Sequence, residues 1–268
     1  KFQNKKYRIT KNRVNKAFLI LGAIIVVPSS YVTNQVYKSL KGQMILLQDF
    51  NTNQFNLPLK DVDNIVPDIP NITVTTIPIN SVKARYYFNS KNYNKALKLL
   101  ETGTKANPYL FYSEILKSQI FEKQGRTDSA KYYAKKAFLG LPNNDLHSSK
   151  YLNLINSTND KNELNNAFEL LTSKNKILNW KNYLIIANRL ETKKNQELIA
   201  RAKKATKLFP YDNDIKNLYV QISIGNESFN EAITFSKKGL EYFNEGDYSN
   251  ASVKFEQAIE KNPLDYAY

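Results

Sequence analysis

Pro108 and Pro142 stand 34 residues apart, and each closes a run with the same order of small and aromatic residues. Before Pro108 come Ala84, Tyr87, Tyr93, Ala96, Leu100 and Gly103; before Pro142 come Phe121, Gly125, Ala130, Ala134 and Ala137. Two further steps of that length reach Lys176, where the proline is missing, and Pro210, preceded by Leu198, Ala202 and Ala205. The order returns before Pro263 in "EGDYSNASVKFEQAIEKNP", with Phe235, Gly239 and Tyr242 ahead of Gly246, then Tyr248, Ala251, Phe255 and Ala258. A fixed period of this length narrows the fold more than any other feature of the chain, because it demands one supersecondary unit repeated and stacked.

Each unit reads as two amphipathic helices, with apolar or small residues every three to four positions and a glycine at the break, as at Gly125 and Gly246. A small residue at Ala96, Ala130 or Ala251 lets the second helix approach the first, while Tyr87, Phe121, Tyr242 and Phe255 fill the space left. Neither helix can bury its apolar face alone. From Pro210 to Pro263 is 53 residues, one repeat plus 19, so an additional helix is predicted over "NDIKNLYVQIS", residues 213–223.

This pattern resembles the tetratricopeptide repeat, a 34-residue helix-turn-helix that stacks into a superhelix. The resemblance implies an all-α solenoid over residues 81–268 with a groove lined by the first helices of successive repeats. The groove-facing positions are then Arg85, Tyr112, Gln119, Asn153, Asn156, Trp180 and Tyr183. Aromatic faces with amides and an arginine suit an extended protein or peptide partner, or a glycan; Trp180 and Tyr183 equally suit packing between units. The Lys and Asn pattern with which some tetratricopeptide domains clamp a terminal carboxylate is not reproduced, since Ser81 and Leu116 occupy two of its places. The sequence stops at "LDYAY", where another repeat would begin, and a solenoid normally ends on a polar cap. The native protein is therefore expected to continue beyond Tyr268, and to begin before Lys1, which is not an initiator methionine.

Ahead of the repeats, "AFLILGAIIVVPSSYVTNQVY", residues 17–37, carries no charge between Lys16 and Lys38, and its 21 residues are enough to cross a bilayer core as a helix. Pro28 would kink such a helix rather than forbid it. A cleaved signal peptide has a similar basic start and apolar run but would begin at a methionine and end at a small-residue cleavage site, neither of which is visible, and "KFQNKKYRITKNRVNK" is an odd lead-in to a buried core helix. Residues 1–16 hold seven Lys/Arg and no acid, so the positive-inside rule puts them in the cytoplasm and the repeats on the other side. A soluble adaptor would require residues 17–37 to be core. Residues 38–80 form a helical extension, "KSLKGQMILLQDF", and then a linker in which Pro58, Pro67, Pro70 and Pro78 forbid a continuous helix. Alternation in "ITVTTIPI" favours an extended, strand-like run, and the linker suits a spacer covering the apolar end of the first repeat.

The whole order, a basic segment, one membrane helix, the proline-rich "IPNITVTTIPI" and the repeats that follow "KARYYFNSKNYNKALKLL", resembles the carboxyl-terminal part of O-antigen ligase-like membrane proteins with tetratricopeptide tails. Those bacterial enzymes transfer lipid-linked glycans, with their chemistry in a large extracytoplasmic loop between earlier membrane helices. That loop is absent from these residues, so no catalytic residue carries over. The resemblance implies an inner-membrane anchor with a periplasmic interaction tail. The alternative is a single-span scaffold for envelope assembly or secretion with no enzymatic part.

The remaining chemistry is sparse. The chain has no cysteine and one histidine, His147, after "LPNND" at a helix start, where a surface or packing role is expected. Asp61, Asp63 and Asp68 lack the glycine and terminal glutamate of a calcium loop and read as loop acids. No phosphate-binding loop, dinucleotide glycine pattern or nucleophile elbow is present, so neither cofactor nor metal is expected. The net charge of +15 is uneven: residues 81–268 hold 29 Lys/Arg against 20 Asp/Glu, and their densest patch is Lys193, Lys194, Arg201, Lys203, Lys204 and Lys207. Without a nucleic-acid fold signature this patch reads as a solvated helix face, and no nucleic-acid partner is expected.

Overall fold

The computed structural model describes residues 2–67 and 69–264, with side chains from residue 15 onward. These residues are almost wholly helical and contain no strand. They divide into two compact units, Lys1–Gly140 and Leu141–Tyr268.

The first unit opens with α1 (Phe2–Thr52), which runs unbroken through Pro28. It is followed by the single turn α2 (Leu59–Val62) and the hairpins α3 (Ile79–Asn89) with α4 (Tyr93–Ala106) and α5 (Tyr112–Lys123) with α6 (Thr127–Gly140). Hairpin closure follows the small residues: Ala96, Ala130, Ala134 and Ala137 are fully buried where the helices meet. Asn92 starts α4 by accepting a hydrogen bond from the Lys95 amide at 3.3 Å, which satisfies one of the donors a helix start leaves open.

The two parts of α1 have opposite surroundings. From Phe18 to Tyr37 its large apolar side chains are exposed, Leu19 by 73% and Val27 by 66%. From Ser39 onward one face is covered, with Ser39, Gly42, Gln43 and Leu46 buried. Gly42 is required there, because a Cβ would overlap the Ile65 carbonyl oxygen. Leu46, Val62, Val66, Ile79 and Val82 share one core with α3 and α4, and fully burying an aliphatic side chain of this kind is worth about 1.5–3 kcal/mol. The proline-rich segment thus packs on the first hairpin.

The expected strand-like run over residues 72–79 does not form. Thr73 N–H donates to the Ile77 carbonyl at 2.8 Å and Thr76 N–H to the Thr73 carbonyl at 3.0 Å, so the chain doubles back through a tight turn with one isolated bridge, Ile72 to Pro78. The Thr73 hydroxyl, which accepts from Ile77 N–H at 3.1 Å, competes with any ladder, and no neighbouring strand among the described residues offers one.

The second unit contains α7 (Asp145–Ser157), α8 (Lys161–Thr172), α9 (Ile177–Leu190), α10 (Gln196–Leu208), α11 (Asn213–Ile224), α12 (Asn226–Asn244) and α13 (Tyr248–Lys261). Asn144, Asp160, Asn195, Asp212 and Asp247 cap five of these starts with their side chains. The additional helix expected near residues 213–223 is α11. Gly239 meets the Phe255 ring between α12 and α13, with Ala232, Ala251 and Ala258 buried beside it.

Candidate functional site

Of the seven residues expected to line a groove, three lie in the first unit and four in the second. Arg85 and Tyr112 come together where α1 ends. The Arg85 guanidinium lies 4.5 Å from the Phe50 ring centre and 4.8 Å from that of Phe55, and it donates to Asn53 Oδ1 at 2.8 Å. Phe50 in turn meets the Tyr112 ring at 5.9 Å. Burial pushes the Tyr112 phenol up to about 12, against the pull of Arg85. Asp49 completes the junction: one carboxylate oxygen accepts from the Asn56 and Leu57 amides at 2.9 and 3.3 Å and from the Tyr86 hydroxyl at 3.0 Å. The Tyr86 phenol is raised by burial first and by that bond second. Arg85 and Tyr112 are thus already engaged by the chain's own residues 49–57. Gln119, farther along α5, is half-buried.

In the second unit Asn153 is exposed on α7, and Asn156 accepts from Arg189 Nε at 2.7 Å. Trp180 and Tyr183 are interior, 0% and 1% exposed. Phe168 packs edge-on against Trp180 at 5.5 Å and tilted against Tyr183 at 4.7 Å. Arg201 closes the cluster, lying 4.1 Å over the Phe168 ring and donating to the Tyr183 hydroxyl. The two aromatics are therefore core residues, not groove anchors, because α8 and α10 cover the face of α9 that carries them. Their truncation would test folding rather than recruitment. Arg201, counted in the basic patch, is tied inward by the same contacts.

A cleft of about 300 Å³ opens between the end of α9, the loop after it and the start of α12. Asn188, Glu191, Lys193, Lys194, Asn195 and Asn226 supply its polar lining. Glu191 accepts from Lys161 Nζ at 2.7 Å and from the Asn195 side-chain Nδ2 at 2.8 Å, and the Lys161 bond is the main cause of its lowered pKa. Such a lining offers amides and ammonium groups to a small polar ligand. The sequence flags Lys193 and Lys194 but not the cleft, whose two walls, residues 188–198 and 222–226, are separate stretches of the chain.

A buried charged group lies between α4, α5 and α6. Glu114 is 1% exposed, and its Oε1 accepts from Lys136 at 3.2 Å and from the Thr104 hydroxyl at 3.3 Å, while Oε2 has no hydrogen-bond partner. Lys117 Nζ donates to Thr104 Oγ1 at 3.0 Å and lies 5.4 Å from the Tyr133 ring centre. Burial lowers the Lys117 pKa, opposed by the negative charge of Glu114.

His147 is buried at the start of α7. Asp63 pairs with Lys95 at 3.4 Å and its carbonyl accepts from Lys83, whereas Asp68 lies outside the described residues. Among the described residues no three His, Asp or Glu side chains gather as metal ligands. No protein-family model matches this chain, and no curated protein matches it.

Proposed function

We propose that this chain is a membrane-anchored interaction module built of tetratricopeptide-like hairpins, and that it forms the periplasmic tail of a bacterial inner-membrane protein that transfers glycans in the manner of O-antigen ligases. The observation that carries the anchored part is α1, long and apolar enough to cross a membrane and bare of protein contacts over its most apolar stretch. A helix that leaves Leu19, Ile24 and Val27 uncovered in water would be a large apolar patch. In lipid the same face is solvated. Seven basic residues before residue 17 support the orientation. Buried small residues at a 34-residue period support the repeat reading, and the order of basic segment, span, proline-rich turn and hairpins supports the ligase-like tail. A scaffold without an enzyme shares every one of these features except that last resemblance.

The test uses the absence of native cysteine. The chain should stay in the membrane pellet after alkaline carbonate extraction. Asn51→Cys, at an exposed position, should react with a membrane-impermeant thiol reagent from outside the inner membrane, and Asn4→Cys should not. Release by carbonate sinks the anchor, and reversed labelling sinks the orientation. Unchanged glycan transfer by the native protein after deletion of residues 81–268 would remove the tail's proposed role in that reaction.

A further inference from the structure

Between α1 and α2 the backbone has few supports of its own. Asn53, Gln54 and Asn56 are exposed. Asn53, just past the end of α1, takes the left-handed φ of 57° common for an asparagine there, whereas Phe55 takes a left-handed φ of 51°, which a bulky side chain holds only where its surroundings impose it. Phe55 and Leu57 pack partly buried on the first-unit core, and the polar restraint is Asp49, whose carboxylate takes the Asn56 and Leu57 amides and whose backbone carbonyl takes Gln54 N–H at 3.2 Å.

What this segment covers has the chemistry of a recognition face. Arg85 already has Phe50 against its guanidinium. The covering segment adds a second ring, Phe55, which also meets Tyr86 edge-on at 5.2 Å, and an amide acceptor from Asn53. A guanidinium between aromatic rings with a further donor free for an acceptor is a strong, directional binding element. Here its second ring and its carboxamide acceptor both come from the same five-residue stretch, while Tyr112 also bonds to it from α5.

We infer that residues 53–57 are a displaceable strap, and that the face beneath it, made by Phe50, Arg85, Tyr86 and Tyr112, takes in trans a peptide that presents an aromatic ring two residues from a side-chain carboxamide. The strap is the cis copy of that ligand. This inference rests on reading the first unit as an interaction module and names the chemistry of its partner.

The probe is a fluorescent peptide of the strap itself, NTNQFNLPL, added to the full chain in detergent. Occupancy of the face in cis reduces apparent affinity by the fraction of chains with the strap open, so Asn53→Ala with Phe55→Ala should bind the peptide about tenfold or more tightly than the unaltered chain does. Adding Arg85→Met, or replacing the peptide's Phe by Ala, should abolish the gain. A folded double variant that binds no better, or binding indifferent to Arg85→Met, overturns the inference. Hydrogen exchange on the unaltered chain gives a second decision should the variant not fold: the Asn56 and Leu57 amides should exchange about tenfold or more faster than those of Tyr86 and Tyr87 in α3. Equal protection overturns the strap. Because binding is read in detergent, failure of α1 to insert into membranes leaves this test intact, and an anchored, folded chain that ignores the peptide sinks the strap alone.

Discussion

The hairpins α5/α6 and α12/α13 carry the same small-residue signature and differ in everything else that fills them. Eight of the twelve residues of α5 are buried, against two of the nineteen in α12. In α6 Phe138 is 1% exposed, whereas Leu240 and Phe243 of α12 are 52% and 53% exposed. Both hairpins are closed by alanine or glycine where the helices touch, so closure is local. Burial is collective: α5 has α3 and α4 packed beside it as well as α6, while α12 packs mainly on α11 and α13 and meets α9 through the Asn188–Asn226 hydrogen bond at its start. A hairpin of this kind is thus half a core until a neighbour supplies the rest.

The largest test of this difference is truncation of one phenylalanine in each hairpin. Phe138→Ala should cost about 3–5 kcal/mol, as a fully buried aromatic does, and Phe243→Ala no more than about 0.5 kcal/mol. Denaturant unfolding of the full chain reads both, and equal losses would break the comparison. Next comes overpacking. Ala130→Leu should cost about 1–3 kcal/mol where the helices are held on both sides, and Ala251→Leu less, because α13 packs mainly on α12 and little else holds it in place. Lys131→Gln, beside the first site, should stay within about 0.5 kcal/mol. A smaller effect is expected at the glycines. Gly42 faces a backbone carbonyl that cannot yield, and Gly239 faces the Phe255 ring, which can turn. Gly42→Ala should therefore lower the melting temperature, while Gly239→Ala should be near neutral once its gain of about 1 kcal/mol in helix propensity is counted.

The smallest effect is electrostatic and sits inside the filled hairpin. Lys117 faces Glu114, Lys136 and Glu101, and burial sets its folded pKa below the ordinary lysine value. Between those two values the unfolded chain binds the proton more tightly, so stability rises with pH across that window. Lys117→Met should flatten the slope of melting temperature against pH in the alkaline range just below the ordinary lysine value. A slope unchanged by the substitution would show that the ammonium is solvated.

How far the sequence could be read follows from which contacts are local. Ala96, Ala130, Ala202, Ala205, Ala251 and Ala258 all lie in buried positions, because the period that places them is a property of neighbouring turns. The helix at residues 213–224 was legible as a residue-count surplus. The site was much less so. Arg85 was assigned to an open groove, yet its partners Asn53, Phe55 and Phe50 sit some thirty residues upstream, and no periodicity links the two stretches. Trp180 and Tyr183 failed for another reason: α9 is covered on more than one face, and the spacing of its aromatics is the same whether they look inward or outward. The alternation in residues 72–79 misled because a β pattern without a partner strand has nowhere to send its amides.

The place where α1 becomes covered has a mechanical meaning. Its charge-free stretch ends at Tyr37, and the packed face begins at Ser39. In the anchored reading the first unit therefore has no tether. So anchored, it would ride on the bilayer like a flag welded to its mast, turning only when the helix turned in the membrane and keeping the Arg85 face at a fixed height. Encounters with that face would then become a problem of diffusion in two dimensions. A partner sharing the membrane would meet it in register, whereas one arriving from the bulk would have to match an orientation that the anchor has already chosen.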